Sequence, residues 1–295
     1  MIELILTNNC NKRCQYCDLE FKNKSLSIDD LDLFIDFISE NKAKYNINFF
    51  GGEPLLEFDK IRYFLDNIKF NISNYSVGTN GILLDKEKLE FFKKNNIKIY
   101  LSIDNIDKGN KLDMDLISLY QENIVINFIN DPDYLDNSII CFDEIVKYGF
   151  KKIAFMPVFS TKKWHINNLS KLKNIYNYIK NNINGISFTK YGYFNGISIE
   201  KQFVLDTDGY FYSDLDSLLW LQKQYKNISN TLKSKINDKT KLLSLKENDI
   251  SLNNLINLYN INEIIRLVYD IPKQSGDFLT YNLIDKIIDN EPKKR

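Results

Sequence analysis

The chain has 295 residues, 39 basic and 39 acidic side chains, 44% hydrophobic residues, 11 Gly and 5 Pro, a composition that fits a folded globular protein and excludes disorder and collagen-like repeats. A formal net charge of zero gives no electrostatic reason to bind nucleic acid or an anionic membrane. No apolar run approaches the roughly 20 residues that span a bilayer, and residues 1–7 include Glu3 and lack a basic flank and a cleavage site, so a cytoplasmic protein is expected.

Taken in chain order, β-rich runs fall at 2–6, 45–50, 74–77, 97–103, 124–128 and 152–158. A helical pattern follows each one. The first helix is announced by Ser27 with Asp30 three residues later, a start resembling a capping box, and continues with Leu31, Phe34, Ile35 and Ile38 on one face. The others are predicted near 58–68, 85–94, 112–121, 132–148 and 166–181. Six strand-then-helix units in succession predict an α/β fold, a partial (βα)6 TIM-like barrel with a parallel sheet and right-handed crossovers. Active-site groups then belong at the carboxyl ends of the strands. After Gly185 the rhythm changes, and 203–212 reads as a hairpin around Asp208-Gly209. The predicted organisation is therefore a barrel over 1–190 and a hairpin-plus-helical region over 191–295, with Leu255, Ile256, Leu258, Ile261, Ile264, Ile265 and Leu267 offering an apolar helical face.

Of four cysteines, Cys10, Cys14 and Cys17 are clustered just after the first strand, and Cys141 stands apart. Clustered thiols in a reducing compartment point to a metal rather than to disulfides. Three thiolates are one short of the four ligands of structural zinc, whereas an iron-sulfur cube held by three cysteines keeps one iron open to a small molecule. Spacing alone leaves zinc and the cluster both open. The second strand ends in Gly51-Gly52-Glu53-Pro54, where paired glycines allow a close backbone approach and Glu53 offers an acceptor for an ammonium group. Gly-Gly alone is also compatible with an ordinary strand-to-helix turn.

Cys10-Asn11-Lys12-Arg13-Cys14-Gln15-Tyr16-Cys17 followed by Gly51-Gly52-Glu53-Pro54 resembles the radical S-adenosylmethionine (SAM) superfamily. Phe49 to Leu56, Gly78 to Leu84 and Leu101-Ser102-Ile103-Asp104 are similar to its peptide- and protein-modifying maturases with SPASM or twitch extensions. The resemblance implies one [4Fe-4S] cluster on Cys10, Cys14 and Cys17, with SAM on the fourth iron. It implies further that Gly51, Gly52 and Glu53 lie along the methionyl ammonium, Tyr16 beside adenine, and Thr79, Asn80, Ser102 and Asp104 at the ribose and carboxylate. Thr79 to Gly81 also reads as an ordinary turn capped by Asn80.

Two departures from the family pattern are visible. Asn105 stands where many relatives have Gly, with Lys108 and Lys111 as the nearby cations, and Tyr193 and Ser213 occupy positions where a SPASM domain would carry cysteines. A second cluster then lacks ligands.

Cys141 admits two readings, a hydrogen-atom donor or a buried structural thiol, and the second is favoured by its place in the fifth helix. His165, beside Trp164, reads as a solvated loop histidine rather than a substrate contact. Asp206 and Asp208 read as turn chemistry rather than as substrate-binding carboxylates. The expected activity is reductive cleavage of SAM to methionine and a 5′-deoxyadenosyl radical, which then modifies a peptide or protein. An external donor of flavodoxin or ferredoxin type is the implied electron source. Alternatives are an activating enzyme for a glycyl-radical enzyme, a small-molecule radical enzyme, and a non-catalytic iron-sulfur protein. With strand one at the start of the chain, a leader peptide is expected to be recognised by the barrel mouth, the carboxyl-terminal region or a separate partner.

Overall fold

The computed structural model describes residues 1–17, 22–40, 45–69, 72, 74–104, 112–158, 166–182, 185, 187–190, 203–212 and 233–235. Within them the predicted strands are all present, as β1 (Ile2–Thr7), β2 (Asn46–Gly51), β3 (Asn74–Thr79), β4 (Ile97–Ile103), β5 (Ile124–Asn130) and β6 (Lys152–Pro157). They pair in sequence order and in parallel. The helices are α1 (Ile28–Glu40), α2 (Phe58–Asn67), α3 (Lys86–Lys94), α4 (Met114–Ser118), α5 (Ser138–Lys147) and α6 (Ile166–Asn181). This is the partial barrel expected from the alternation.

Four elements differ from expectation. A seventh parallel strand, β7 (Ser187–Lys190), pairs with β6 just after Gly185. Its four residues are too few to show a period. The fourth helix is a single short turn followed by a 3-10 turn at Gln121–Asn123, and the fifth starts later than predicted because 3-10 turn Leu135–Asn137 precedes it. The hairpin, β8 (Phe203–Leu205) and β9 (Tyr210–Tyr212), is present but belongs to the barrel's own sheet: β8 pairs in parallel with β1, and β10 (Lys233–Lys235) pairs with β9. The sheet order is β10-β9-β8-β1-β2-β3-β4-β5-β6-β7. His165, Trp164, the 191–200 segment and the predicted apolar face of 255–267 lie outside the described residues, as does the boundary expected at 190/191.

The two faces of the sheet follow from strand periodicity. Ile97, Ile99, Leu101 and Ile103 of β4, with Ile124, Ile126 and Phe128 of β5, are buried in the main core, while Tyr100, Ser102, Val125, Asn127 and Ile129 alternate with them and are half-buried. The first set lies under the helices; the second faces the barrel interior. On the helical side, the Phe64 ring of α2 meets Phe49 of β2 edge-on at 5.6 Å and stacks with Phe34 of α1 at 6.1 Å. On the inner side, Ile5 and Val204 form a second buried cluster with Phe50 and Tyr210 against it. A Cβ on Gly78 would lie 2.9 Å from the Phe50 ring, so Phe50 lies across β3 in the interior. No described helix is long and apolar enough to cross a membrane.

Helix starts carry local chemistry. The Ser27 hydroxyl accepts from Asp30 N at 3.0 Å, Asp85 accepts from Lys88 N at 2.8 Å at the start of α3, and Asp113 accepts from Leu116 N at 3.0 Å at the start of α4. Caps of this kind open α1, α3 and α4, whereas α2 and α5 start without one. The cysteine loop lies at the carboxyl end of β1.

Candidate metal and cofactor site

The cysteine loop leaves β1 at Thr7 and is fixed at its root by backbone contacts. Asn8 N donates to Lys24 O at 2.8 Å and Leu26 N to Leu6 O at 2.9 Å, so the returning segment closes the loop against the end of β1. From the other side, Gly52 N donates to Thr7 O at 2.8 Å and Glu53 N to Asn9 O at 2.7 Å. The paired glycines are required for this contact. A Cβ on Gly51 would fall 2.3 Å from the Thr7 carbonyl oxygen, and one on Gly52 would fall 2.1 Å from that of Asn9. Gly51 also has φ +133, in the region that favours glycine. The backbone that approaches these Cα atoms is the chain's own cysteine loop.

Glu53 is fully buried and occupied on both oxygens: Oε1 accepts from Leu55 N at 3.1 Å and from the Thr79 hydroxyl at 2.7 Å, and Oε2 accepts from Asn80 N at 2.8 Å. Burial pushes its carboxyl pKa up, and the donors from Asn80, Thr79 and Leu55 work against that. The carboxylate therefore ties the turn after β2 to the turn after β3. Thr79 is itself buried, and its hydroxyl also accepts from Gly81 N at 3.0 Å. With that turn fixed, Asn80 extends its amide to Asn11 Oδ1 at 2.7 Å and to the Cys10 sulfur at 3.6 Å, while its own oxygen accepts from Ile82 N at 3.1 Å. The turn reading of Asn80 thus holds, and its side-chain amide reaches the cysteine loop as well.

Beyond Cys10 the loop bends over the barrel mouth. Lys12 N donates to the Cys10 sulfur at 3.4 Å, Cys17 N donates to Cys14 O at 3.1 Å, and Arg13 donates to the Cys10 and Lys12 carbonyls. Just past the end of β4, Asp104 receives Lys12 Nζ on both oxygens at 3.2 Å and the Tyr16 hydroxyl at 2.8 Å. Burial, then the Asp104 charge, pushes the Tyr16 phenol well above its ordinary range, so it acts as a neutral donor. Ser102, on the inner face of β4, stands opposite Asn127 of β5 in the ladder. Hydrogen bonds thus join Cys10, Glu53, Thr79 and Asn80, and through Lys12 also Asp104 and Tyr16, while Gly51 and Gly52 pack on the loop root. Sequence reasoning missed Lys12, Asn8 and Asn11, whose partners lie far along the chain; their only signal is proximity to the cysteines.

The donor set fits an iron-sulfur centre. Two N–H groups, from Lys12 and Asn80, already point at the Cys10 sulfur, an arrangement that stabilises a thiolate. Without a metal, burial raises the Cys10 thiol pKa, with Glu53 and Cys14 adding to it against the Lys12 and Asn80 donors; a bound cation reverses that balance. Among the described residues no three His, Cys, Asp or Glu side chains converge on a single ion position. Thiolates bound to different irons of one cube do not need to share such a point.

Cys141 is buried on α5 in the main hydrophobic core, as a structural thiol is expected to be. Asp206 is turn chemistry: its Oδ1 accepts from Thr207 N at 2.7 Å, and its carbonyl accepts from Gly209 N at 3.0 Å.

Comparison with known proteins agrees with this geometry. Residues 4–170 match the family described as the Radical SAM superfamily. The radical SAM cyclopropyl synthase TigE of Paramaledivibacter caminithermalis is 28% identical over 182 residues, 54% of this chain and 35% of that protein. The cysteine-type anaerobic sulfatase-maturating enzyme of Clostridium novyi is 34% identical over 113 residues, 33% of this chain and 30% of that protein. The solved structure of native anSMEcpe with bound AdoMet and Cp18Cys peptide superposes with a TM-score of 0.62 at 19% identity, covering 84% of this chain and 80% of that one, and shows the shared fold. The chain spans less than two thirds of the length of the curated relatives it matches.

Proposed function

The chain belongs to the radical SAM superfamily, and from that premise we propose that it is an enzyme that modifies a peptide or protein substrate by hydrogen abstraction. The family's cofactors are a [4Fe-4S] cluster and SAM. When bound, they supply an electron and a 5′-deoxyadenosyl radical able to abstract hydrogen from an unactivated carbon. Cys10, Cys14 and Cys17 would hold the cluster. Gly51 and Gly52, Tyr16, Asn80, Ser102 and Asp104 would border SAM, and Glu53 with Thr79 would keep the turns after β2 and β3 in place.

The observation that carries this reading is the path from Glu53 through the Asn80 turn to the Cys10 sulfur. It fixes the turn after β3 to the one that packs on the cysteine loop root, and it aims an amide donor at a ligand atom. Such preorganisation suits a centre that must hold a reactive species with water excluded. The named activities of the sulfatase-maturating relative and the peptide in the anSMEcpe structure support a peptide or protein substrate. A flavodoxin- or ferredoxin-type protein would deliver the electron.

Anaerobic reconstitution with iron and sulfide, followed by SAM and dithionite, tests the reading. It predicts 5′-deoxyadenosine and methionine as products, and loss of both cluster and products in Cys10→Ala, Cys14→Ala and Cys17→Ala. A full cluster that yields no 5′-deoxyadenosine would identify a non-catalytic iron-sulfur protein instead.

A further inference from the structure

The hairpin formed by β8 and β9 lies outside residues 4–170, the part of the chain matched to the family, yet it reaches the root of the cysteine loop. β8 runs along the free side of β1, with Phe203, Val204 and Leu205 opposite Ile2, Glu3 and Leu4. The chain then turns at Asp206-Thr207-Asp208-Gly209 beside the end of β1. There the Asn8 side-chain amide donates to the Thr207 hydroxyl at 2.8 Å, joining residues 199 apart in sequence. Asn8 is 8% exposed and Thr207 7%, so water competes little for this bond. The Asn8 Oδ1 atom has no protein hydrogen-bond partner, which leaves Thr207 as the hydrogen-bonded contact of that side chain among the described residues. Asn8 is two residues before Cys10.

The turn is seated rather than merely adjacent. Gly209 adopts φ +73, and a Cβ there would lie 2.7 Å from the Asp30 Oδ1 atom at the start of α1. Asp206 Oδ1 accepts from both the Thr207 backbone N–H at 2.7 Å and the Thr207 hydroxyl at 3.3 Å, which turns the hydroxyl oxygen's lone pairs toward the Asn8 amide. The loop root thus meets three different parts of the chain: the returning segment through Lys24, the turn after β2 through Gly52 and Glu53, and the hairpin through Thr207. The first two act on the backbone and on the Thr7 hydroxyl, which donates to Lys24 O at 3.0 Å and accepts from the Ser25 hydroxyl at 3.0 Å. The hairpin is the contact that holds the Asn8 side chain.

We propose that Thr207 is a positioning residue for the cysteine loop, acting through Asn8, and that the hairpin therefore forms part of the cluster site although it holds no ligand. This rests on the reading of Cys10, Cys14 and Cys17 as cluster ligands. Thr207→Val keeps size and shape and removes the hydroxyl; Thr207→Ser keeps the hydroxyl. The readouts are iron per chain after anaerobic reconstitution, the EPR spectrum of the reduced cluster, and the titration of that spectrum with SAM. Loss of a buried bond next to a ligand loop is expected to weaken SAM binding about tenfold and to alter the EPR line shape in Thr207→Val. Thr207→Ser is expected to restore both, and Asn8→Ala, which removes the bond from its other side, to resemble Thr207→Val. Wild-type spectra and SAM affinity in Thr207→Val would overturn the inference, and so would a Ser variant as impaired as the Val variant. A wild-type chain that takes up no iron would overturn the cluster reading itself, an outcome the control reports separately.

Discussion

An alanine at position 52 would put its Cβ 2.1 Å from a backbone oxygen that cannot move without carrying the cysteine loop with it. Gly52→Ala is therefore expected to lower stability by about 1–3 kcal/mol, the usual cost of overpacking, in chemical denaturation of the apo-protein, and to reduce cluster incorporation as well. Glu53→Gln tests the same junction by chemistry rather than size. The glutamine amide offers one acceptor oxygen, so either Asn80 N or the Leu55 N and Thr79 pair would face an NH2 group, and a loss of about 1–3 kcal/mol is expected. A variant as stable as wild type would show that this carboxylate is not holding the turns. The thiol triad was legible in the sequence because its cysteines are neighbours in the chain. The reason for the glycines was only half legible: close approach could be read from Gly-Gly, but the approaching partner is residues 7–9, which β pairing brings there. Lys12 and Asp104, 92 residues apart, gave no sign of their contact.

At the scale of elements, sequence chemistry was most readable where it is local. The start of α3 is an example. Asp85 accepts from Lys88 N and pairs with Lys88 Nζ. Burial acts to raise its pKa, but the Lys88 side-chain and backbone hydrogen bonds and the Lys88 charge outweigh it and hold the carboxyl below the ordinary range. A folded-state pKa below the unfolded one adds stability above the ordinary carboxylate range, and that stability is lost as pH falls through the folded value. Asp85→Ala should cost about 1 kcal/mol at pH 7, as loss of a cap does, and progressively less as acid protonates the wild-type side chain. Equal cost at both extremes would mean that the charge contributes nothing. Elements fixed by distant partners were harder to read. β7 is a short strand defined by its pairing with β6, and α4 is cut short although its apolar spacing continues. The hairpin could be read from Asp-Gly between alternating residues; its place beside β1 could not, because parallel pairing between residues 2–4 and 203–205 leaves no local mark.

On the scale of the whole molecule, the sheet separates two chemistries. One face is covered by helices and filled with aliphatic and phenylalanine side chains; the other carries the half-buried Ser102, Asn127 and Tyr100 below the cysteine loop. Cys141 lies on the first side, 3% exposed in the core, and the remaining three cysteines of the chain lie at the mouth on the second. The fourth thiol is thus kept from the ligand set by the body of the sheet and its helices, and Tyr193 and Ser213 contribute no thiolate at the positions where a SPASM-type cluster would need them. A single cluster is therefore expected, with about four irons per chain after full anaerobic reconstitution. Cys141→Ala should leave that number unchanged while lowering stability, since it removes a buried sulfur from a packed core. The Cys10→Ala, Cys14→Ala, Cys17→Ala triple variant should bring iron close to zero. About eight irons in the wild type, with about four persisting in the triple variant, would reveal a second centre built from ligands other than these cysteines and would reopen reactions in which such a centre takes an electron from substrate or binds it directly.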